Sequence, residues 1–303
     1  MTKSEILNTI ELRQSSIKDY LNCPLMFRFK HIEQIPEAFR CSAALHGTAL
    51  HKVIHRLHTE NRELPLRKAY MEALDKAVAE SDIEVRWKET PEKYSDHAVE
   101  ILQGYRENPL NSEAKILFSE VPFRVRIHGH MFSGTIDQVR RNPDGTTELI
   151  DLKSSQQRPS TSFLLNDWQL RLYNYALACG EIQQSNGLWV KPQLNVNYNG
   201  WYFLRGHEIR KRSTVNGNAG EEKGDPFIRV DRKPEDLKLF KTELKYLLNC
   251  MLKDWHYPNP NACAFCHHQS YCKSRGQGSY DLSDEEKQTI RKEYHGTSNS
   301  ESQ

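Results

Sequence analysis

The chain has 303 residues, of which 37% are hydrophobic and 27% charged, a composition typical of a globular protein with a sizeable core. No run of residues approaches 18 uncharged apolar positions, which excludes a membrane-spanning helix, and the N-terminus lacks the apolar run of a secretory signal. We therefore expect a cytoplasmic protein, either bacterial or, if phage-encoded, in the host cytoplasm. The net charge of +2 neither indicates nor excludes a nucleic-acid partner.

The first 110 residues are predicted to be helical. A serine pair at 15–16 is suited to capping a first helix. Apolar residues then recur at helical spacing in three further segments, which are 42–61, 66–80 and 94–105. We expect an N-terminal helical region over 1–110, which carries both Cys23 and His51.

The pattern changes to alternating, β-branched and aromatic residues after Pro109, which predicts strands. The predicted elements are strands at 116–127, 130–141 and 146–154, a helix at 162–179, a strand at 194–204, a polar loop at 205–225, a short strand at 227–230 and a helix from 234 to about 253. We expect an α/β core over 111–232, a C-terminal helix with a cysteine cluster over 233–276, and a mobile polar tail over 277–303.

Two acidic residues and a lysine lie on neighbouring predicted strands. Asp137 ends the sequence Gly-Thr-Ile-Asp, and Asp151 and Lys153 lie on the next strand beyond a turn. Because residues two apart on a strand share a face, a hairpin can bring all three side chains together. Paired carboxylates favour Mg²⁺ or Mn²⁺, and a nearby lysine can orient or deprotonate a water. The pattern indicates phosphodiester hydrolysis, although Asp-x-Lys pairs also occur on solvated strands.

The order of the motifs resembles the PD-(D/E)XK nuclease superfamily, and in particular its RecB-like exonuclease branch. Gln169 and Tyr173, four positions apart on a predicted helix, match the Gln-x-x-x-Tyr element of that branch. Gly47-Thr-Ala-Leu-His51 matches an upstream helix that carries a histidine. The chain is similar to the nuclease of CRISPR adaptation and to the AddB nuclease domain. The resemblance implies a restriction-endonuclease-like fold, which is a central mixed sheet flanked by helices.

The resemblance also implies roles for individual residues. The implied metal ligands are His51, Asp137, Asp151 and the backbone carbonyl of Leu152, with Glu120 as a secondary acidic residue. The implied catalytic residues are Asp137, Asp151, Lys153, Gln169 and Tyr173. In this interpretation Lys153 assists the attacking water, and the helix with Gln169 and Tyr173 positions Lys153 or the DNA.

Four of the seven cysteines form a candidate ligand set. They are Cys23, Cys263, Cys266 and Cys272. In the iron–sulfur members of the family, one N-terminal cysteine joins three C-terminal ones, so the resemblance implies a 4Fe–4S cluster that joins the N- and C-terminal helical parts. The spacing does not separate this cluster from Zn²⁺, for which His267 or His268 could replace Cys23.

The expected activity is that of a Mg²⁺- or Mn²⁺-dependent deoxyribonuclease, an exonuclease acting on DNA ends or single strands in recombination, repair, phage DNA processing or CRISPR adaptation. The candidate DNA contacts are Arg124, Arg126, Arg205, Arg210, Lys211 and Arg212. The chain lacks a P-loop motif, so any unwinding would need a helicase partner, and a recombination or integration protein is a further candidate partner. The alternatives are a non-catalytic iron–sulfur or zinc DNA-binding module of a larger recombination complex and a zinc-stapled interaction protein.

Overall fold

A computed structural model of the protein describes residues 10–37, 39–81, 83–155, 161–207, 209–211, 221–223, 226–253, 255–268 and 271–272. The chain divides into two compact units. The smaller unit comprises Met1–Ile10, Ser15–Phe39 and Tyr246–Gln303, and the larger comprises Glu11–Gln14 and Arg40–Lys245. Among the residues described, none of the helices combines the length and the apolar character that crossing a bilayer requires. The four-part division predicted from the sequence stays a prediction.

The helices and strands follow the chain in this order. The helices are α1 (Gln14–Asn22), α2 (Pro24–Phe27), α3 (Ser42–Thr59), α4 (Leu66–Ala79), α5 (Pro91–Glu107), α6 (Pro109–Ser112), α7 (Thr161–Leu165), α8 (Trp168–Cys179) and α9 (Pro234–Leu252). The strands are β1 (Leu12–Arg13), β2 (Arg40–Cys41), β3 (Val85–Arg86), β4 (Lys115–Ile127), β5 (His130–Arg141), β6 (Thr147–Lys153), β7 (Glu181–Gln183), β8 (Trp189–Val190), β9 (Tyr198–Phe203), β10 (Ile209–Lys211), β11 (Glu221–Lys223) and β12 (Phe227–Asp231). One turn of π-helix (Arg28–Ile32) and two 3₁₀ turns (Leu204–His207 and Pro260–Phe265) complete the described elements.

A mixed sheet forms the centre of the larger unit. Within the described residues it has eight strands in the order β12-β9-β6-β5-β4-β7-β8, and β1 pairs with β5. β6 runs parallel to β9 and β1 parallel to β5, whereas the other neighbours are antiparallel. The sheet confirms the predicted α/β class with a central mixed sheet flanked by helices.

β6 is the strand that organises the core, because six of its seven residues are buried. A strand with this continuous burial is covered on both faces. Ile150 and Leu152 pack into one hydrophobic cluster with residues of α3, α4 and α5. The residues that alternate with them, Asp151 and Lys153, contact Gln169 of α8. The alternation of β6 therefore separates an apolar helix-packing face from a polar face.

Two sequence-based expectations need correction. The helix expected over 162–179 is divided into α7 and α8, because the Asp167 carboxylate accepts the Leu170 N–H at 2.8 Å and caps a new helix. The polar loop expected over 205–225 contains an antiparallel pair of short strands, β10 and β11. The loop residues 212–220 and the tail at 277–303 lie outside the described residues.

The smaller unit brings together segments from the two ends of the sequence. The Tyr20 hydroxyl donates to the Trp255 carbonyl at 2.9 Å, and the Leu25 N–H donates to the Tyr257 carbonyl at 3.1 Å. A small hydrophobic cluster in this unit contains Cys23. Its other members and neighbours are Leu25, Met26, Phe29, Ile35, Ala262, Tyr271 and Cys272. Two of the four candidate cysteine ligands thus belong to one packed cluster.

Candidate active site

Three carboxylates lie in a row across neighbouring strands. The pairing on either side of Glu120 in β4 places it opposite Asp137 of β5. The pairing of β5 with β6 stops one residue before Asp137 and Asp151. Where the strands part, the Leu152 N–H donates to Asp137 Oδ2 at 2.8 Å instead of to a strand carbonyl. The fork between β5 and β6 therefore opens the sheet at the acidic residues.

Glu120 has an unusual local structure. Its φ of +49° lies in the left-handed region, which is rare for residues other than glycine. Its buried Oε1 has no hydrogen-bond partner in the described part of the chain, and Lys52 Nζ lies 3.6 Å from Oε2. Like charges directly opposite on two strands are destabilising, so Glu120 and Asp137 need a positive group between them. The arrangement is typical of a cation site.

His51 of α3 is the group that faces both carboxylates. Its Nδ1 lies 3.4 Å from Glu120 Oε1 and 3.6 Å from Asp137 Oδ2, and its Nε2 lies 3.1 Å from the Leu152 carbonyl oxygen. One turn earlier, a Cβ on Gly47 would lie 3.3 Å from Ser154 Oγ. The absence of a side chain at Gly47 lets α3 approach the end of β6 closely enough for His51 to reach the site.

The charges around His51 shift pKa values in both directions. Burial lowers the pKa of His51, but Asp137 and Glu120 outweigh burial and hold it well above its usual range. Burial raises the pKa of Asp137, but the charge of His51 and the Leu152 N–H bring it below its usual range. Without metal, the pocket holds an imidazolium between two carboxylates.

The residues of this pocket fit a divalent metal ion. The potential ligand atoms of His51, Glu120 and Asp137 lie within 4.8 Å of one another. Carboxylate oxygens suit Mg²⁺ and Mn²⁺. Metal-binding histidines commonly donate their second ring N–H to a backbone carbonyl, which corresponds to the contact between His51 and Leu152. In this arrangement Nδ1 is the ligand nitrogen, and the Leu152 carbonyl accepts a hydrogen bond.

Asp151 lies beside this group and not within it. Its Oδ2 forms an ion pair with Lys153 Nζ, and its Oδ1 accepts the Gln169 Nε2–H at 2.7 Å. Gln169 also accepts from Lys153 Nζ at 3.2 Å and donates to the Tyr173 hydroxyl at 3.0 Å. The structure thus divides the predicted residues into a His51–Glu120–Asp137 pocket and an adjoining Asp151–Lys153–Gln169–Tyr173 network.

Burial and the ion pair act in opposite directions on the pKa values of Asp151 and Lys153. Desolvation raises the pKa of Asp151, and the ammonium of Lys153 opposes this effect only in part. Desolvation lowers the pKa of Lys153, but Asp151 outweighs it and the pKa is raised. Lys153 is therefore an ammonium group that can donate hydrogen bonds.

Glu120, expected as a secondary acidic residue, has the carboxylate nearest to His51 Nδ1. Ser119 is a further polar residue beside the pocket, and its hydroxyl lies 3.1 Å from His55 Nδ1. His55 shares a face of α3 with His51, four positions away, but no sequence pattern indicates its contact with Ser119.

The cysteines expected to bind a cluster are all thiols in the smaller unit. Burial raises the pKa of Cys266, and Cys23 and Cys263 raise it further, so these three sulfurs interact electrostatically. A tetrahedral zinc ion holds its sulfur ligands about 3.8 Å apart. Among the described residues, no three cysteine sulfurs lie within 4.8 Å of one another. Cys23, Cys263 and Cys266 therefore influence one another electrostatically, but the described cysteines do not form a compact zinc site.

The basic residues predicted to contact DNA differ in their hydrogen-bond partners and in their place in the fold. Arg124 Nε donates to Glu181 at 2.7 Å, and its guanidinium lies 4.4 Å from the centre of the Trp189 ring. Arg126 donates to the Gly129 carbonyl at 2.9 Å. Arg205 lies in a 3₁₀ turn. Arg210 and Lys211 lie on β10, with side chains outside the described part of the structure, and Arg212 falls outside the described residues altogether.

Comparison with known proteins identifies the family. The family model described as the PD-(D/E)XK nuclease superfamily matches residues 11–273, which contain the carboxylate row, His51 and Lys153. The chain belongs to the PD-(D/E)XK nuclease superfamily. Membership implies phosphodiester hydrolysis, a nucleic-acid substrate and a divalent metal. For this PD-(D/E)XK protein, the pocket of His51, Glu120 and Asp137 is a possible acidic metal site.

Two solved structures resemble the PD-(D/E)XK protein. A protein of Eubacterium rectale named "putative exonuclease" is 10% identical, with a TM-score of 0.46 over 93% of this chain and 94% of that one. A protein named SSO0001 is 14% identical, with a TM-score of 0.32 over 86% of this chain and 94% of that one. No curated protein matches the sequence.

Proposed function

We propose that the protein is a Mg²⁺- or Mn²⁺-dependent DNA nuclease of the RecB-like branch, and that it acts as an exonuclease on DNA ends or single strands. The observation that carries the proposal is that the His51–Glu120–Asp137 pocket lies beside the ion pair of the buried Asp151 and the half-buried Lys153. Burying the carboxylates of Asp137 and Asp151 lowers the stability of the fold, so a catalytic or metal-binding role explains why both are present.

Each residue of the site has a separate role in the proposed hydrolysis. A divalent ion held by His51, Glu120 and Asp137 would polarise a phosphate oxygen and lower the pKa of water. Lys153 donates hydrogen bonds to the attacking water and to the negative charge that develops on the phosphate. As the water oxygen bonds to phosphorus, Asp151, whose pKa is raised by burial, accepts the proton of that water. The P–O bond to the leaving sugar oxygen breaks at the same step, and that oxygen takes a proton from solvent. Gln169 and Tyr173 hold Asp151 and Lys153 in place.

The same proposal includes a 4Fe–4S cluster held by Cys23, Cys263, Cys266 and Cys272. The electrostatic interaction of Cys266 with Cys23 and Cys263 supports a shared site. Zn²⁺ is the competing occupant, and the resemblance of the four-cysteine pattern to the iron–sulfur members of the family favours the cluster. The cluster would join the N-terminal and C-terminal helical parts of the predicted four-part organisation.

The proposed setting is DNA recombination, repair, phage DNA processing or CRISPR adaptation in a bacterial cytoplasm, or in the host cytoplasm for a phage protein. A helicase or a recombination or integration protein would be the partner. The second candidate function is a non-catalytic iron–sulfur or zinc DNA-binding module. It is favoured by the cysteine set alone and disfavoured by the intact group of Asp137, Asp151 and Lys153.

Cleavage of end-labelled single- and double-stranded DNA with Mn²⁺ tests the proposal. Wild type should release labelled mononucleotides or short fragments, and Lys153→Ala should cleave roughly 10²- to 10⁴-fold more slowly. Lys93→Ala is a matched control, since Lys93 is an exposed lysine of α5 that contacts none of the site residues. Binding without cleavage by wild type would favour the non-catalytic module, and equal cleavage by wild type and Lys153→Ala would remove Lys153 from the mechanism.

A further inference from the structure

The segment before the C-terminal cysteines has a restricted backbone. Asn259 stands between Pro258 and Pro260. A residue before proline is restricted to extended conformations, and Asn259 has φ −109° and ψ 104°. Pro260 begins the 3₁₀ turn that carries Cys263, and a proline suits this first position. Asn259 is therefore held at the entry of the cysteine-bearing turn.

The side chain of Asn259 uses both of its polar atoms. Oδ1 accepts the Asn261 N–H at 3.2 Å and caps the 3₁₀ turn. Nδ2 donates to the Asn22 carbonyl at 2.7 Å. Asn22 immediately precedes Cys23, so one side chain ties the start of the C-terminal cysteine turn to the neighbour of the N-terminal cysteine.

The backbone of Asn259 contacts a candidate ligand directly. Its N–H donates to Cys23 Sγ at 3.4 Å, across 236 positions of sequence. The Asn259 carbonyl accepts from the Cys263 thiol at 3.8 Å, a bond that ends when the thiol loses its proton to become a ligand. The N–H to Cys23 persists and is strengthened when the sulfur is a thiolate, because donors to charged acceptors form stronger hydrogen bonds.

We propose that Asn259 is the positioning residue of the iron–sulfur site: it clamps Cys23 against the segment with Cys263, Cys266 and Cys272 and donates a hydrogen bond to a ligand sulfur. This inference rests on the cluster proposed above. The two side-chain bonds fix the separation between Asn22 and the turn that carries Cys263. The backbone N–H of Asn259 stabilises negative charge on the Cys23 sulfur. Hydrogen bonds to ligand sulfurs are among the features that set the potential of such clusters.

The test compares anaerobically purified wild type with three variants. Asn259→Ala removes the cap and the clamp. Asn259→Asp keeps the capping oxygen but replaces the amide donor by a carboxylate facing the Asn22 carbonyl. Asn261→Ala is the control, since the exposed Asn261 contributes its backbone N–H to the cap. The measurements are iron and sulfide content, the half-life of the visible absorbance with a chelator in air, and the reduction potential.

Wild type should contain iron and sulfide. Asn259→Ala should lose its colour roughly tenfold faster and should have a more negative potential, because the Cys23 sulfur loses a well-aligned donor. Asn259→Asp should also lose its colour faster, and Asn261→Ala should behave like wild type. Half-lives and potentials equal in all four proteins would overturn the role of Asn259. Wild type that contains zinc, or no iron and sulfide, would refute the cluster itself and the inference with it, a failure visible before any variant is made.

Discussion

One ring nitrogen of His51 faces a neutral carbonyl oxygen, and the other faces two charged carboxylates. Nε2 meets the Leu152 carbonyl, whereas Nδ1 meets the carboxylates of Glu120 and Asp137. The first contact fixes the orientation of the ring, and the second decides its charge. Because the two carboxylates hold the pKa of His51 well above its usual range, the proton on Nδ1 occupies the place that a metal ion would take.

Metal binding should therefore release a proton from His51. Ligand nitrogens must be deprotonated, so the apparent affinity for Mn²⁺ should rise with pH until the raised pKa of His51 is passed. Calorimetry at pH 7 in two buffers with different ionisation enthalpies measures the protons released. Wild type and the control His55→Gln should release protons, and His51→Gln should not. Proton-free binding of Mn²⁺ by wild type at pH 7 would contradict the assignment.

Gln169 is the residue that joins Asp151, Lys153 and Tyr173. Gln169→Ala leaves the buried Oδ1 of Asp151 without its donor, which should lower the free energy of unfolding by about 1–3 kcal/mol in urea titrations. DNA cleavage should fall roughly 10²-fold because Lys153 loses its orientation. Gln103→Ala, on the exposed face of α5, is the matched control. Cleavage by Gln169→Ala at the wild-type rate would show that the network does not position Lys153.

At the scale of elements, the glycine of the Gly-Thr-Ile-Asp motif has a packing role. Gly134 of β5 pairs with Phe123 of β4, and a Cβ at Gly134 would lie 2.9 Å from the Phe123 ring. The same ring packs edge-on against Tyr173, with 5.3 Å between the ring centroids. Gly134 therefore leaves room for an aromatic ring that supports α8, the helix that carries Gln169 and Tyr173.

A side chain at Gly134 should disturb this support. Gly134→Val forces the Phe123 ring aside, and overpacking of this kind lowers the free energy of unfolding by about 1–3 kcal/mol. Cleavage should fall together with stability, because Tyr173 and Gln169 shift with the ring. Thr135→Val, at an exposed position of the same strand, should change neither property. Equal urea midpoints and cleavage rates for the two valine variants would refute the packing role.

Periodicity predicted the elements of the larger unit well, since the hydrophobic patterns of 42–61 and 130–141 correspond to α3 and β5. It missed the break before α8, although Asp167 is a common capping residue. Two features of the site had no local signal. The left-handed backbone of Glu120 is rare for its residue type, and the three bonds of Gln169 depend on rotamers that only the packed structure defines. The roles of the site residues stay predictions.

At the scale of the whole molecule, both ends of the sequence contribute to the smaller unit. Its small hydrophobic cluster offers limited apolar burial of its own. A cluster that links Cys23 with Cys263 would close a loop containing most of the chain, and constraints on long loops remove the most entropy from the unfolded state. We expect the cysteine site to supply much of the stability of this unit.

Loss of one ligand should reveal this contribution. Cys263→Ala should yield colourless protein with poor solubility, because the unit loses its cross-link. Cys179→Ala is the control, as Cys179 is an exposed thiol of the larger unit. Visible spectra and yields of folded protein measure the difference, and a brown, fully stable Cys263→Ala protein would exclude Cys263 as a ligand.

The most direct measurement is the digestion of end-labelled single-stranded DNA by wild type and Asp137→Asn, each with Mn²⁺ and with a chelator. Asp137 is the decisive position because it lies opposite Glu120, contacts His51 and neighbours Asp151. We predict that wild type digests the DNA with Mn²⁺ and not with the chelator, and that Asp137→Asn loses both digestion and Mn²⁺ binding. Digestion in the chelator, or equal digestion by the two proteins, would contradict a metal-dependent site built on this row of carboxylates.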